Sequence, residues 1–302
     1  FGSSAMFTNT TGTSNVAMGY ASLYSNTTAN NNTAIGYAAM YANSTGSDCT
    51  AVGKNALAAN TTANANTAVG SEALESCTTG ASNTALGVSA LKSLVDTFGC
   101  TAVGREALES VTTGQDNTAV GRKAGENITG GQENLCLGYN AGNTGSPSGN
   151  ITTASRNVVL GDDNIVNLFC ADTSISSSDS RDKTDITDFN IGLKWIEALR
   201  PITYKWDKRS WYGTDENTLG TPDGSKKSSK THIGFLAQEV LAVEKANGYG
   251  SSNDNSLLVN LTDDGMRYGM KYERLVPILV NAIKELSAEN TALKARLDAA
   301  GL

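Results

Sequence analysis

Charged residues are scarce in the first part of this chain, and aromatic residues are scarce throughout. Aromatic side chains make up 6% of the 302 residues, and there is one histidine, His232. Residues 1 to 177 hold 6 Lys+Arg and 12 Asp+Glu, whereas residues 178 to 302 hold 17 and 18 and all three tryptophans, Trp195, Trp206 and Trp211. With a net charge of −7 and neither part basic, the phosphate neutralisation that drives nucleic-acid binding has no source, so no nucleic-acid partner is expected. No run of 18 apolar residues exists, so no membrane insertion is expected either. The five cysteines (Cys49, Cys77, Cys100, Cys136 and Cys170) are odd in number, widely spaced and lack a CxxC pair. That argues against a disulfide framework and a zinc site; the expectation is free thiols, no metal, no cofactor and assembly in a cytoplasm. The opening "FGSSAMFTNT" has neither an initiating Met nor a signal-peptide layout, and it reads as an excised fragment.

What the first part has instead is a repeat. "NVAMG", "NTAIG", "CTAVG", "NTAVG", "NTALG", "CTAVG", "NTAVG" and "NLCLG" end at Gly19, Gly36, Gly53, Gly70, Gly87, Gly104, Gly121 and Gly138, always 17 apart. A degenerate ninth, "NVVLG", ends at Gly161 after an insertion of six. Beyond each glycine come a small-then-apolar pair, such as Ala56-Leu57 or Ala73-Leu74, and a polar turn such as "NTTAN". Each unit is therefore expected to be strand, glycine bend, short strand and polar turn. A helix would need apolar spacing of three and four carried through Gly, Thr and Asn, which are poor helix formers.

In an extended "TAVG", neighbouring side chains point to opposite faces. Ala and Val are both apolar, so both faces are expected to be buried, one inside a coil and the other against a partner. A single thin coil with so few aromatics would have little core, which argues for several chains packed along a common axis. Asn at the first motif position is expected to stack in ladders, and Cys49 and Cys100, which replace it, to fill a snug, semi-buried slot without redox chemistry. N-x-S/T sequons, among them those at Asn26, Asn43, Asn60, Asn127 and Asn150, follow from the abundance of Asn and Thr. Residues 13 to 142 resemble the head repeats of trimeric autotransporter adhesins and the similar repeats of phage tail fibres. The resemblance implies a trimeric left-handed β-roll or β-helix shaft, spanning residues 1–177 here, although 17 residues is longer than the usual adhesin unit.

From residue 178 the vocabulary is that of a small α+β domain, 178–302. "IGLKWIEAL" has helical spacing and ends at Pro201; "ITYKWD" alternates as a strand; 208–230 is a polar loop. "HIGFLAQEVLAVE" is expected to be a buried strand passing into a helix, followed by the short strand "SLLVNL". At about 272–298, Tyr272, Val276, Leu279, Ile283, Leu286, Asn290, Leu293 and Leu297 follow a 4-3-4-3-4-3-4 spacing. That is a heptad seam of coiled-coil type whose core runs Leu279, Ile283, Leu286, Asn290, Leu293 and Leu297, with Asn290 as the polar member that sets register.

The seam between the two parts is "SSSDSRDKTDI", residues 176 to 186. A serine hydroxyl is a poor nucleophile until a base takes its proton, and a lysine of lowered pKa is one such base. Ser178 and Lys183 stand five apart, with Asp179 and Arg181 between them; by spacing alone this is weak, and a solvated charged linker is the plain alternative. The wider order "SDSRDKTDI", "LKWIEALRPITYKW", "HIGFLAQEV" and "YERLVPILVNAIKEL" is much more specific. It resembles the intramolecular chaperone auto-processing domain at the C-termini of phage endosialidases, tail spikes and tail fibres, over about residues 176 to 298. That resemblance implies a homotrimer whose C-terminal domain helps the β-rich stalk to fold. It further implies a serine endopeptidase acting once on its own chain, with Ser178 as nucleophile, Lys183 as base and the cut between Ser177 and Ser178. Asp179 and Arg181 would shape the loop, and His232 is either near the site or structural.

The leading expectation is thus a tail-fibre or spike component of a bacterial virus, assembled in the host cytoplasm and binding a host cell-surface receptor or glycan. The alternatives are a bacterial trimeric surface adhesin, which predicts a membrane-anchor barrel after the coiled coil, and a glycan-cleaving spike enzyme, which needs clustered carboxylates in a cleft.

Overall fold

The computed structural model describes residues 1–165, 180–213, 219–262 and 265–301. The chain divides into two compact units, Phe1–Val166 with Tyr212–Gly220, and Asn167–Trp211 with Thr221–Leu302. The expected boundary between residues 177 and 178 lies outside the described residues.

The first unit is a β-solenoid with one three-residue strand in each repeat: β1 (Val16–Met18), β2 (Thr33–Ile35), β3 (Thr50–Val52), β4 (Thr67–Val69), β5 (Thr84–Leu86), β6 (Thr101–Val103), β7 (Thr118–Val120), β8 (Leu135–Leu137) and β9 (Val158–Leu160). The strands form one parallel sheet in sequence order. Residues 17 apart face each other, Ala51 opposite Ala68 and Ala68 opposite Ala85. The six-residue insertion is absorbed by turns between Ala141 and Ser148, so β9 pairs with β8 without a register shift. Within each strand from β2 on, the middle residue points inward and is buried, while the residues beside it are half-buried or exposed.

The glycine after each strand is a geometric necessity. Gly53, Gly70 and Gly87 have φ of +139°, +136° and +145°, a region that side chains with a Cβ rarely enter. A Cβ on Gly70 would also lie 2.4 Å from the Gly87 carbonyl oxygen of the next rung.

The expected short strand after this bend does not form. The second and fourth residues past the glycine are left-handed instead, as at Asn55 (φ +55°) and Leu57 (φ +54°) or Glu72 (φ +61°) and Leu74 (φ +51°). This makes alternate N–H groups point to opposite neighbouring rungs: Asn55 N donates back to Tyr37 O at 2.9 Å, and Leu57 N donates forward to Ala73 O at 2.9 Å. A left-handed L-residue costs roughly 1–2 kcal/mol. Burying the leucine contributes about 1.5–3 kcal/mol, so a lone rung gains little and the stacked hydrogen bonds decide whether the corner forms.

The interior corrects the expectation that a single coil would have little core. Ala56, Leu57, Ala73, Leu74, Ala90 and Leu91 are fully buried within one chain. Two asparagine columns complete it. In the first, Asn66 Nδ2 donates to Gly80 O at 2.7 Å, and Asn66 Oδ1 accepts from Asn83 N at 2.9 Å. Cys49 and Cys100 occupy the same column, fully buried, and their thiols point to Ala63 O and Gly114 O at 3.4 and 3.3 Å. The slot is fully buried where a semi-buried one was expected, because the neighbouring rungs cover it, and the thiol replaces the amide donor. In the second, Asn26, Asn43 and Asn60 each donate to the asparagine one rung back, at 2.8, 3.1 and 2.7 Å. Cys77 ends this column, and Asn60 Oδ1 is left buried without a donor.

The second unit contains helix α1 (Leu193–Ala198), strands β10 (Ile202–Tyr204) and β11 (His232–Gly234), helix α2 (Ala237–Ala246), strands β12 (Val259–Leu261) and β13 (Tyr268–Met270), and helix α3 (Leu275–Ala299). β10 pairs antiparallel with β11, and β12 with β13; β13 had no counterpart in the expectation. Trp195, Val240, Leu258, Leu275 and Ile278 form the core. β11 is not the buried strand expected, because it belongs to a two-stranded pair and its central Ile233 is 84% exposed. Glu244 of α2 is fully buried; its carboxylate accepts hydrogen bonds from Ser256 Oγ at 2.7 Å and from Leu258 N, pinning the approach to β12.

Candidate functional site

At the junction, Ser177, Ser178 and Asp179 lie outside the described residues. Ser180–Asp182 forms one 3-10 turn, closed by Lys183 N donating to Ser180 O at 3.3 Å. Arg181 and Lys183 are exposed. The structure therefore places the expected base next to a tight turn without showing its distance from the expected nucleophile.

His232 sits in an aromatic cluster created by strand pairing, because β10 and β11 set it directly opposite Tyr204. Its ring stacks on Tyr204, 5.5 Å between centroids, and meets Trp206 edge-on at 6.3 Å. Lys208 Nζ lies 5.3 Å from the Trp206 ring centroid. Burial, followed by the nearby Tyr272, raises the Tyr204 hydroxyl above its ordinary pKa. His232 thus makes ring contacts with both Tyr204 and Trp206 beside the paired strands.

Helix α3 has two faces of different character. Leu275, Ile278 and Ala282 are buried in the unit's own core. On the same side Asn281 Nδ2 donates to the carbonyls of Phe189 and Ile191, and the Glu285 carboxylate accepts from Leu193 N at 2.7 Å. That carboxylate serves as the cap of α1, where Gly192 has no side chain to do so. The seam positions Leu279, Ile283, Leu286, Leu293 and Leu297 are all exposed, Ile283 by 66%, and Asn290 lies among them in the exposed part of the helix. The heptad stripe is thus present on one helix, and its side chains are exposed among the described residues of the single chain. Asn281 and Glu285 were not anticipated, since their partners are about 90 residues away in sequence.

In the solenoid, the carboxylates that come together are Glu106, Glu109 and Glu126, within 4.8 Å of one another. Lys123 Nζ stands 3.4 Å from Glu106 and 2.9 Å from Glu126, so the group is one step of an ion ladder along the rungs and not the open carboxylate pair that glycan cleavage requires. Among the sequons, Asn26, Asn43 and Asn60 are fully buried in their ladder, and Asn127 donates to Asn150 at 2.8 Å. No helix among the described residues is long and apolar enough to cross a membrane.

The buried thiols give the solenoid a pH dependence. Burial pushes Cys77 up to about 12 and Cys136 up to about 11, and raises Cys49 and Cys100 as well. An unfolded thiol loses its proton near 8.5, whereas the folded chain retains it, so folding stability is lost as pH rises from about 9 towards 12. The thermal midpoint of the solenoid is expected to fall over that range, with a shallower fall when Cys77 and Cys136 are replaced by alanine. Equal slopes would show that other groups govern alkaline unfolding.

Residues 178–249 match the family model described as chaperone of endosialidase. The match begins at the residue expected to be the nucleophile and runs through α1, the β10–β11 pair and α2. It supports a C-terminal chaperone domain following the β-solenoid. No curated protein and no solved structure matches the chain.

Proposed function

We propose that the C-terminal unit is an intramolecular chaperone that joins three copies of the chain through the exposed stripe of α3 and holds their repeat shafts in common register. The stripe carries this reading: five large apolar side chains at heptad spacing, all exposed in one chain while the neighbouring face of the helix is already packed. The match to the chaperone of endosialidase over residues 178–249 supports it. A register clamp is needed because every rung repeats its neighbour, so copies slipped by 17 residues bury almost the same surface.

In the assembled protein the chain then cuts itself once. The Ser178 hydroxyl, losing its proton to the neutral amine of Lys183, attacks the Ser177 carbonyl carbon. The C–N bond breaks, the Ser178 amine takes the proton, and an ester joins the two residues. Water hydrolyses the ester, leaving a carboxylate on Ser177 and a new N-terminus at Ser178. Arg181 and Asp179 shape the loop. Removing the clamp makes shaft unfolding irreversible in practice, because separated shafts no longer carry what registered them. On this reading the protein is a tail-fibre or spike component of a bacterial virus, assembled in the host cytoplasm, with a host cell-surface receptor or glycan as its eventual partner.

Denaturing electrophoresis of the expressed chain is expected to show two fragments, the smaller being residues 178–302, and a single full-length band for Ser178→Ala. Intact mass of the small fragment should place its first residue at Ser178. One band for both proteins would overturn self-cleavage and leave the clamp to be judged by assembly.

A further inference from the structure

Helix α3 does more than carry the stripe and cover the core of its unit. Asn281 and Glu285 stand one turn apart on it and grip the backbone that leads from the junction into α1. Asn281 Nδ2 donates to Phe189 O and, at 3.2 Å, to Ile191 O, while the Glu285 carboxylate accepts from Leu193 N at 2.7 Å. Apolar contact is non-directional and tolerates sliding, whereas hydrogen bonds to particular backbone atoms fix one alignment of the segment on the helix. Gly192 permits the approach, because a Cβ there would collide with the Glu285 carboxylate. Both residues lie outside the matched residues 178–249, and neither is a seam position.

The held segment is close in the chain to the proposed cut. Residues 183–190 form neither helix nor strand and are exposed, so their course depends on where the stretch is fastened. With Phe189 held, Lys183 is six residues from a fixed point, about 20 Å at full extension. The fastening itself depends on the stripe. Every residue of α3 from Ile283 to Ala299 is exposed in one chain, and a helix without tertiary packing is marginal. The turn that carries Glu285 also carries Ile283 and Leu286, so seating those two against partner copies steadies the carboxylate. We propose that Asn281 and Glu285 are positioning residues for the self-cleavage: they tie the downstream end of the junction to α3, so that seating of the stripe is transmitted towards Lys183 and the cut waits for assembly. The proposal rests on the self-cleavage reading given above.

The rate at which the full chain releases residues 178–302, timed on denaturing gels with light scattering alongside, tests this. Asn281→Asp keeps the shape but turns a carboxylate on two carbonyls, and Glu285→Ala removes the acceptor of Leu193 N. Each is expected to assemble to the parent mass and to be cut about tenfold to a hundredfold more slowly. Glu285→Gln, which keeps an oxygen for Leu193 N, should restore most of the rate. Ile278→Val trims the buried face of the same helix without touching these hydrogen bonds. It should lower the thermal midpoint, measured in the uncut Ser178→Ala background, and leave the cutting rate near that of the parent. If Asn281→Asp and Glu285→Ala are cut as fast as the parent, or if Ile278→Val is slowed as much as they are, the positioning role is overturned while self-cleavage stands. Loss of assembly in both variants also overturns it, because the pair would then serve the trimer and not the cut. A parent chain that is never cut overturns the self-cleavage reading and this proposal together.

Discussion

Lysine at positions 283 and 286 should reduce the assembled chain to single copies. Ile283 and Leu286 are 66% and 49% exposed in one chain, so neither substitution disturbs the unit that carries them, and its far-ultraviolet spectrum should be unchanged. In the proposed trimer the same side chains would meet their equivalents in the seam. Each buried isoleucine or leucine contributes about 1.5–3 kcal/mol, and a lysine forced into that seam without an acid partner costs several kcal/mol more. Two such layers exceed what a short coiled coil can spare. Light scattering is the measurement: the parent chain near three chain masses, Ile283→Lys with Leu286→Lys near one. Val276→Ser is a milder companion, expected to weaken assembly without abolishing it because it lies at the edge of the stripe. If the double variant retains the parent mass, the stripe is not what joins the copies.

A different substitution, Ser178→Ala, separates the two activities proposed for the C-terminal unit. The proposed cut at 177–178 uses Ser178 and Lys183, neither of which lies on α3, so Ser178→Ala should assemble and stay whole. The chain with lysines at 283 and 286 is expected to be cut slowly, because the proposed cut follows assembly.

Much of this architecture is legible in one dimension because it is periodic. The 17-residue spacing, the inward Ala, the buried first-position Asn and the heptads of α3 are each a residue type recurring at a fixed interval, and periodicity survives without coordinates. The second half of each rung was misread for a physical reason. Ala-Leu flanked by polar residues is also what a short strand looks like, and nothing in the side chains announces that Leu57 or Leu74 is left-handed; the hydrogen bonds to the rungs above and below impose it. The core was underestimated for a similar reason. Where the second asparagine column turns apolar, at Leu94, Val111 and Ile128, the volumes adjust elsewhere: Gly125 replaces the leucine of its column, and a Cβ there would come within 3.1 Å of Ile128 Cδ1. Such compensation between columns is invisible when each column is read separately. In the second unit, the Tyr204–His232 pair, Glu244 with Ser256, and Glu285 with Leu193 join residues 12 to 92 apart, and no spacing rule reaches them.

The glycine after each strand is the most sensitive point in the shaft, and Gly87→Ala should expose it. The substitution adds one methyl group to a residue at φ +145°, aimed at the Gly104 carbonyl oxygen 2.4 Å away. That oxygen belongs to the next rung's backbone and cannot swing aside as a side chain would. Moving it means opening the pairing of β5 with β6, where Leu86 faces Val103. The backbone strain alone is worth about 1–3 kcal/mol, and with the collision the loss should reach about 3–5 kcal/mol, the exceptional range for a point substitution. Val88→Ala, one residue further on and 47% exposed, should stay within about 0.5 kcal/mol as an ordinary surface change. Urea unfolding of the Ser178→Ala chain, in which cleavage does not intervene, measures both. Because each rung is stabilised mainly by its neighbours, a broken contact in the middle of the stack should also divide the cooperative unit. The Gly87→Ala transition is therefore expected to broaden or split, with the rungs before β5 and after β6 melting separately. An unchanged, single transition would mean that the corner relaxes around a Cβ, and that the glycine column is dispensable.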